Sequence, residues 1–547
     1  MPHLKSLYPP IPYVKISNYY EWLVTLDSVK NLPDFTLYID GLTGERRQLG
    51  EVFDRVALCA TALSAPPAEG GMGITETPDE VVGLFSENTM EYPTAVYSLL
   101  KIAVPFALLP AYLTVSELAA LITLSDLTRL FISPNLQDTA LKAAKQADFP
   151  LDRIYVVQGH IQGFQSLNDF IEVAPIMVSH KNLYYSAMQV LVCVAELYKT
   201  GKIPSLAHTP EGVSVGVAFQ PFYHASGLHF SIMRNLVMPT TSVIVPNWDV
   251  DRMLEAVEKY RATHLVMIPS MTHRMIFSPR FKDMDFSSVM WFITAAAHLA
   301  FDHRKAVLER LSQTPDITNI YGLTECTVSA LQLPLPGLFV GRFSDTVLST
   351  MTGILLPGME ARILRDDGSE ADFDEPGELL LRGGNVTMGY KKNEEASAKT
   401  FLEDGWFRTG DRFTVSKGGA FFYSDRLEDM LIVSGLPVSP SEIEHVLWLQ
   451  PDKLFVDVAV AGVPGDRCSD EKVPRAWIVL SDVGRQRGST AVVSILDEWA
   501  RSQMGGDKTL QGGIEVVEQL AESAGGKVSR RLLQAKYMQA LEGSSET

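Results

Sequence analysis

Val81-Val82-Gly83-Leu84-Phe85, the helical pattern Pro93 to Lys101, Phe106-Ala107-Leu108-Leu109, the helix-like Val115 to Ser125 and Leu130-Phe131-Ile132 follow one another, and their reading decides the fold. The apolar runs are short and do not alternate with polar residues, so they read as strands buried on both faces. Amphipathic helices separate them, which makes each strand–helix–strand a crossover unit and the sheet parallel. Similar runs return at His264 to Ile268 and Met290 to Ile293. The expected class is α/β. The most apolar window, Ala95 to Leu113, is interrupted by Lys101, Pro105 and Pro110. It fits a buried helix followed by a buried strand rather than a membrane span, which needs about 20 apolar residues in a row.

Moving outward, the texture changes from about Ser349. Gly353, Pro357-Gly358, Asp366-Asp367-Gly368, Pro376-Gly377 and Gly383-Gly384 punctuate brief runs such as Leu379-Leu380-Leu381. Such spacing suits a small β module of hairpins and turns. From Asp425 it changes again. Ser439-Pro440-Ser441-Glu442 is a capping box with proline at the first helical position, followed by Ile443, Val446 and Leu447 at helical spacing. Val456, Val458 and Val460 alternate as a strand, and Arg475 to Leu480 reads as another. The expected organisation is a large N-terminal domain over 1–424 of layered α/β subdomains, with its β module at about 345–424, followed by an α+β C-terminal domain over 425–547.

The length of 547 residues exceeds one hydrophobic core and suggests roughly three or four domain-sized units. A hydrophobic fraction of 46% with 20% charged residues is that of a soluble globular protein. Lys+Arg 47 against Asp+Glu 65 gives −18, which argues against nucleic acid as the main partner. An anionic substrate must therefore meet a local positive site. Cys59, Cys193, Cys326 and Cys468 show no paired metal-ligand spacing and no disulfide framework. The proline-broken N-terminus MPHLKSLYPPIPY has no secretory apolar region, and the C-terminal Ser-Ser-Glu-Thr is not a peroxisomal address. A cytoplasmic location is the expectation.

The chemistry gathers at Asn319-Ile320-Tyr321-Gly322-Leu323-Thr324-Glu325. An aromatic face, a glycine, a hydroxyl and a carboxylate this close together can stack a base, admit a phosphate to the backbone and hold a metal-bound triphosphate. Taken alone, the run equally fits a strand end entering a turn, with Gly322 supplying an unusual backbone angle and Thr324 capping a helix. Three features downstream tip the balance. Gly405-Trp406-Phe407-Arg408-Thr409-Gly410-Asp411 puts a carboxylate on a glycine turn, suited to a ribose diol. Asp425-Arg426, followed by Gly435, Pro440 and Glu442-Ile443-Glu444, marks a domain junction with a permanent cation. Gly525-Gly526-Lys527-Val528-Ser529-Arg530-Arg531 carries a lysine on a glycine loop. Each alone is a common turn, surface pair or loop tip; the fixed order of all four is not.

In that order they resemble the adenylate-forming superfamily of acyl-CoA synthetases, 4-coumarate-CoA-ligase-like enzymes, luciferases and stand-alone adenylation domains. The likeness runs from about Leu49 to Leu541 and includes PAYLTVSEL at Pro110 to Leu118, VSHKNL at Val178 to Leu183 and PFYHASGL at Pro221 to Leu228. TAAAHL at Thr294 to Leu299 and EPGELLLRG at Glu375 to Gly383 belong to it as well, and GYKKNEEASAKTF and DMLIVSG look most like fatty-acyl and aryl-CoA ligases. The resemblance implies an ATP-dependent, magnesium-assisted ligation of a carboxylic acid to CoA through an acyl-adenylate, in a biosynthetic pathway of secondary-metabolite type. It implies that Tyr321 stacks on adenine beside Gly322, Ala296 and Ala297, that Thr324 contacts the α-phosphate and that Glu325 holds Mg²⁺. Asp411 is implied to bind the ribose, with Arg426 beside it, and Lys527 to reach both carboxylate and phosphate. His224, Ala225, Ser226, Gly227, Thr294, His298 and Asn319 are the implied acyl-pocket residues, with His224 at the wall toward the pantetheine tunnel. Ser434 and Gly435 are implied to face the thiol, and the C-terminal domain is implied to be mobile.

The chain also departs from the family pattern. A Ser/Thr/Gly-rich phosphate loop ending in lysine is expected just before VSHKNL, but the sequence passes from Phe164 to Phe170 through Ile171-Glu172-Val173-Ala174-Pro175 straight into Ile176-Met177-Val178. Glu428, Ala295 and His298 replace the usual lysine, glycine and proline, and Ala521-Glu522-Ser523 replaces Pro-Lys-Thr. The missing loop keeps two alternatives open: a catalytically impaired homologue that binds an acyl or nucleotide ligand, and an incomplete gene model of an active ligase.

Overall fold

The computed structural model describes residues 3–15, 18–26, 29, 34–64, 72–77, 79–158, 161, 178–201, 209, 211–295, 299, 301–313, 316–390, 394–402, 404–427, 429–433, 436–465, 472–505, 508–521 and 528–545. The α/β class is observed. The opening stretch forms a four-stranded parallel sheet ordered Phe106–Leu109, Val82–Phe85, Arg129–Ile132, Ile154–Val156. Its strands are buried on both faces as the apolar runs require, and Leu84, Phe85, Leu109, Leu130, Phe131 and Ile132 are fully buried. Truncating one such phenylalanine would cost about 3–5 kcal/mol. The intervening helices are Glu91–Lys101 and Val115–Leu124, the latter started by a complete capping box between Thr114 and Glu117.

A nine-stranded sheet follows the order Ile354–Leu355, Leu331–Gln332, Ile317–Tyr321, Trp291–Ala295, His264–Met267, Ser214–Ala218, Thr240–Ile244, Thr36–Asp40, Arg46–Gln48. The five pairings from Ile317–Tyr321 to Thr36–Asp40 are parallel, and antiparallel strands close both edges. Parallel strands end on one side of a sheet, so Trp291–Ala295 and Ile317–Tyr321 deliver Thr294 and Asn319 in register beside each other.

The chain gathers into two compact units. One holds the described residues of His3–Ala361 and Leu381–Arg408; the other holds those of Arg362–Leu380 and Thr409–Thr547. Residue 425, where the sequence places its domain division, lies in the strand Phe421–Arg426, which pairs with Phe407–Val415. Beyond it, the helix Pro440–Trp448 begins as expected with Ser439 as its cap and Pro440 in its first turn. Only half of the capping box forms: the Ser439 hydroxyl accepts from Glu442 N, while the Glu442 carboxylate takes Lys508 Nζ at 2.5 Å. The strands Phe455–Pro464 and Lys472–Leu480 are antiparallel, and Ile514–Val517 joins in parallel. Among the described residues no helix is long and apolar enough to cross a membrane.

Candidate functional site

The strand Ile317–Tyr321 runs into a tight turn whose single 3-10 helix is Thr324–Cys326. Gly322 is required here by space rather than by angle: a Cβ would lie 1.9 Å from the Val328 carbonyl oxygen. The left-handed backbone falls instead on Thr327 (φ 49) and Val328 (φ 86), and Leu323 rather than Thr324 occupies the cap position. A β-branched residue at positive φ is strained by about 1–3 kcal/mol. The turn is held by its surroundings. Asn385, buried, donates from Nδ2 to the carbonyls of Cys326 (2.7 Å) and Ser329 (3.0 Å), and Thr327 Oγ1 donates to Asn385 O at 2.5 Å. Cys326 is packing, as expected: it is buried, and its sulfur closes onto the Leu323 backbone.

This frame leaves Tyr321, Gly322, Thr324 and Glu325 half-buried. The Glu325 carboxylate is aimed by Tyr390, whose hydroxyl donates to Oε1 at 2.8 Å, while Thr387 N donates to Glu325 O at 2.9 Å. Four buried polar atoms around the turn, Thr294 Oγ1, Asn319 Oδ1, Ser329 Oγ and Thr387 Oγ1, find no hydrogen-bond partner among the described residues. Native interiors rarely leave such groups unpaired, and a concentration of them points to a polar occupant.

His224 is positioned by a second device. The Asn88 side chain donates to Gln220 O (2.9 Å) and accepts from Phe222 N (2.8 Å), pinning the segment that precedes it. His224 then caps the short helix Ala225–Leu228, its Nδ1 accepting from Ser226 N at 3.3 Å and lying 2.9 Å from Ser226 Oγ. A neutral ring that accepts at Nδ1 carries its proton on Nε2. Gly227 is forced, because a Cβ would meet Pro221 O at 2.1 Å. Two of the quoted segments touch here: the rings of Tyr112 and Tyr223 meet edge to face at 6.0 Å. Burial, reinforced by Tyr112 and Glu87, pushes the Tyr223 hydroxyl up to about 12. In VSHKNL, Ser179 and Asn182 form a full capping box, and Asn182 Nδ2 donates to Gly384 O and Val386 O at 2.9 and 2.7 Å.

In the second compact unit, Asp411 and Arg426 are cross-strand partners, with Arg426 Nε 3.1 Å from Asp411 Oδ1. Thr409-Gly410-Asp411 is not a turn: it lies inside the nine-residue strand Phe407–Val415, with Gly410 at φ 68 and its carbonyl accepting from Leu427 N. Asp425, fully buried, accepts from Arg426 N, Ser439 Oγ and Ser441 N. Arg530 gathers this junction, donating to Asp429 Oδ2 (2.7 Å), Ser441 Oγ (3.0 Å), Glu444 (3.0 and 3.1 Å) and Val460 O (2.9 Å). Burial pushes the Glu444 carboxyl up against the pull of Arg530. Lys527, Ala296, Ala297, His298, Ser434 and Gly435 lie outside the described residues, as do Glu428, Cys468 and residues 162–177, the interval that leads into VSHKNL. Among the described residues no group of three or more His, Cys, Asp or Glu could hold a metal.

The turn thus presents an aromatic ring, a hydroxyl and an aimed carboxylate beside polar atoms that are unpartnered among the described residues. Residues 175–391 match the family model of AMP-binding enzymes, in keeping with the resemblance that the motifs carry. Among its relatives, the acyl-CoA ligase easD of Emericella nidulans is 28% identical over 560 residues, covering 91% of this chain and 92% of its own. A probable 4-coumarate–CoA ligase 1 of Dictyostelium discoideum is 26% identical over 556 residues, covering 93% of each. Among solved structures, the anthranilate CoA ligase AuaEII bound to anthranoyl-AMP superposes with a TM-score of 0.77 at 21% identity, over 96% of this chain and 98% of its own. ATP-bound MatB from Rhodopseudomonas palustris gives a TM-score of 0.75 at 22% identity, over 95% and 98%.

Proposed function

We propose that the protein is an ATP-dependent acyl-CoA ligase: a carboxylic acid and ATP give an acyl-adenylate and pyrophosphate, and the CoA thiol then displaces AMP to leave a thioester. The observation that carries this reading is the Tyr321–Glu325 turn, with its carboxylate held by Tyr390, inside the segment matched by AMP-binding enzymes. Half-exposed Tyr321 stacks on the adenine and Thr324 meets the α-phosphate. Asp411, oriented by Arg426, takes the ribose hydroxyls. Lys527 meets the carboxylate and phosphate as charge develops between them, where a fixed cation lowers the barrier. Ser434 and Gly435 serve the thiol step, for which residues from 425 onward move as a lid.

Glu325 fits magnesium. One oxygen takes the Tyr390 hydroxyl, the other accepts no hydrogen bond among the described residues, and one carboxylate completed by phosphate oxygens and water is a common magnesium site. When bound, the ion would neutralise phosphate charge. The fungal relatives support a role in secondary metabolism, and the cytoplasm is the proposed location.

The short interval before VSHKNL favours a second reading, a homologue that binds nucleotide or acid without turnover. Pyrophosphate release across a panel of carboxylic acids separates the two. The ligase reading expects release with at least one acid and its loss in Lys527→Ala; folded protein that binds ATP but releases none with any acid would establish the second.

A further inference from the structure

Arg234 is 8% exposed, yet among the described residues its guanidinium makes one side-chain hydrogen bond, from Nη2 to Ser186 Oγ at 3.2 Å. Its Nε is buried with no partner, and no carboxylate among the described residues pairs with it. Among the described residues, the groups that face it are neutral: the Phe230 ring, whose centroid lies 5.0 Å away, the phenol of Tyr19, the thiol of Cys193 and the imidazole of His229, which burial keeps unprotonated. A permanently charged group taken out of water without an opposite charge is a heavy liability in a core. Proteins retain such local conflicts where a ligand resolves them.

The position of Arg234 says which ligand. It closes the helical stretch that His224 opens, through Ala225–Leu228 and the π-helical His229–Met233, a form concentrated at functional sites. Along that stretch His229, Ser231, Arg234 and Asn235 are all buried. Of these, Asn235 is already engaged with Ser231 O and Ser242 Oγ, so the spare donors are those of Arg234. Ser186 ties the guanidinium to the nucleotide turn, because its hydroxyl also donates to Thr327 O at 3.1 Å and lies 3.5 Å from His229 Nδ1.

We propose that Arg234 sets the specificity of the acyl pocket, and that the substrate is a carboxylic acid bearing a second carboxylate, which Arg234, oriented by Ser186, binds while the first is adenylated. The inference rests on the ligase reading. A second carboxylate supplies the missing charge and matches the planar donor fork of arginine. A monocarboxylic acid of the same length leaves the guanidinium unpaired and is rejected.

The test compares pyrophosphate release from dicarboxylic acids, aliphatic and aromatic, with that from monocarboxylic acids of matched length. For the wild type, kcat/KM for the best diacid should exceed that of its monoacid counterpart by on the order of 100-fold. Arg234→Met should erase the preference by losing the diacid, while melting no lower than wild type because an uncompensated charge has gone. Arg234→Lys should keep the preference, reduced by about 10-fold. A wild type that prefers monoacids overturns the proposal, and needs no variant to fold. So does a folded Arg234→Met that keeps the diacid preference, or one that melts lower and loses both acids equally, which marks a structural arginine. Release from monoacids alone sinks only this inference; no release from either kind sinks the ligase reading beneath it.

Discussion

Tyr390→Phe isolates the aiming of Glu325. The substitution removes one oxygen and keeps the ring, which packs edge to face on Phe401 at 5.6 Å, so folding should be little affected. What is lost is a 2.8 Å hydrogen bond to a carboxylate, a class worth about 1.5–3 kcal/mol net. If that energy is expressed in full at the adenylation transition state, kcat/KM for pyrophosphate release falls by about 10- to 150-fold. The loss should be greatest at low magnesium, because a carboxylate free to turn binds the ion less well, and higher magnesium should restore part of it. The assay is initial-rate pyrophosphate release at several magnesium concentrations, with thermal melting as the control for folding. Unchanged kcat/KM at every magnesium concentration, together with an inactive Glu325→Gln, would refute the reasoning: Glu325 would matter and its tether would not.

Gly322→Ala drives a Cβ to within 1.9 Å of a backbone oxygen and should destabilise by about 3 kcal/mol, the upper end of overpacking; an unchanged denaturation midpoint would contradict the close approach. Arg530→Ala strips the guanidinium from Asp429 and Glu444. Breaking a largely buried pair should cost about 3 kcal/mol, read as earlier proteolysis of the C-terminal unit, and Arg530→Lys should recover only a minor part because an ammonium cannot reproduce the fork. Burial, aided by neighbouring cations at His229 and His273, holds four histidines low, His229 at about 3 and His264, His273 and His303 at about 4. The unfolded chain protonates them near the ordinary 6.5, so below that pH it binds more protons than the native state. Stability should therefore fall as pH drops from about 6.5 toward 4, by up to about 1.4 kcal/mol per pH unit for each histidine; denaturation midpoints flat between pH 7 and 5 would contradict this.

The strands and helices around Val81 to Ile132 were legible because burial on both faces writes itself into consecutive apolar residues, and the observed elements keep the expected order with small shifts at their ends. The turn after Tyr321 was legible as chemistry but not as backbone. Sequence favours glycine for its angles, whereas Gly322 is there because Val328 approaches it, and the positive angles fall on residues that sequence would not choose. Thr409-Gly410-Asp411 has the composition of a turn, yet it lies in a strand where Gly410 takes a positive φ. Tyr390 and Asn385 escaped notice because their partners lie far away in sequence, although both residues sit in or beside segments that carry the resemblance. Arg234 escaped for another reason: a lone cation in a helical pattern reads as solvent-facing, and its burial comes only from packing.

The central claim is that this chain makes an acyl-adenylate and then consumes it. Single-turnover reactions with α-labelled ATP, an accepted acid and magnesium, first without CoA and then after its addition, test it most directly. The account predicts that labelled acyl-AMP accumulates without CoA and is converted to free AMP, with one thioester formed per AMP, when CoA is added. ATP that binds, shown by a raised melting temperature, yet remains intact with no acyl-AMP under any acid, would contradict it.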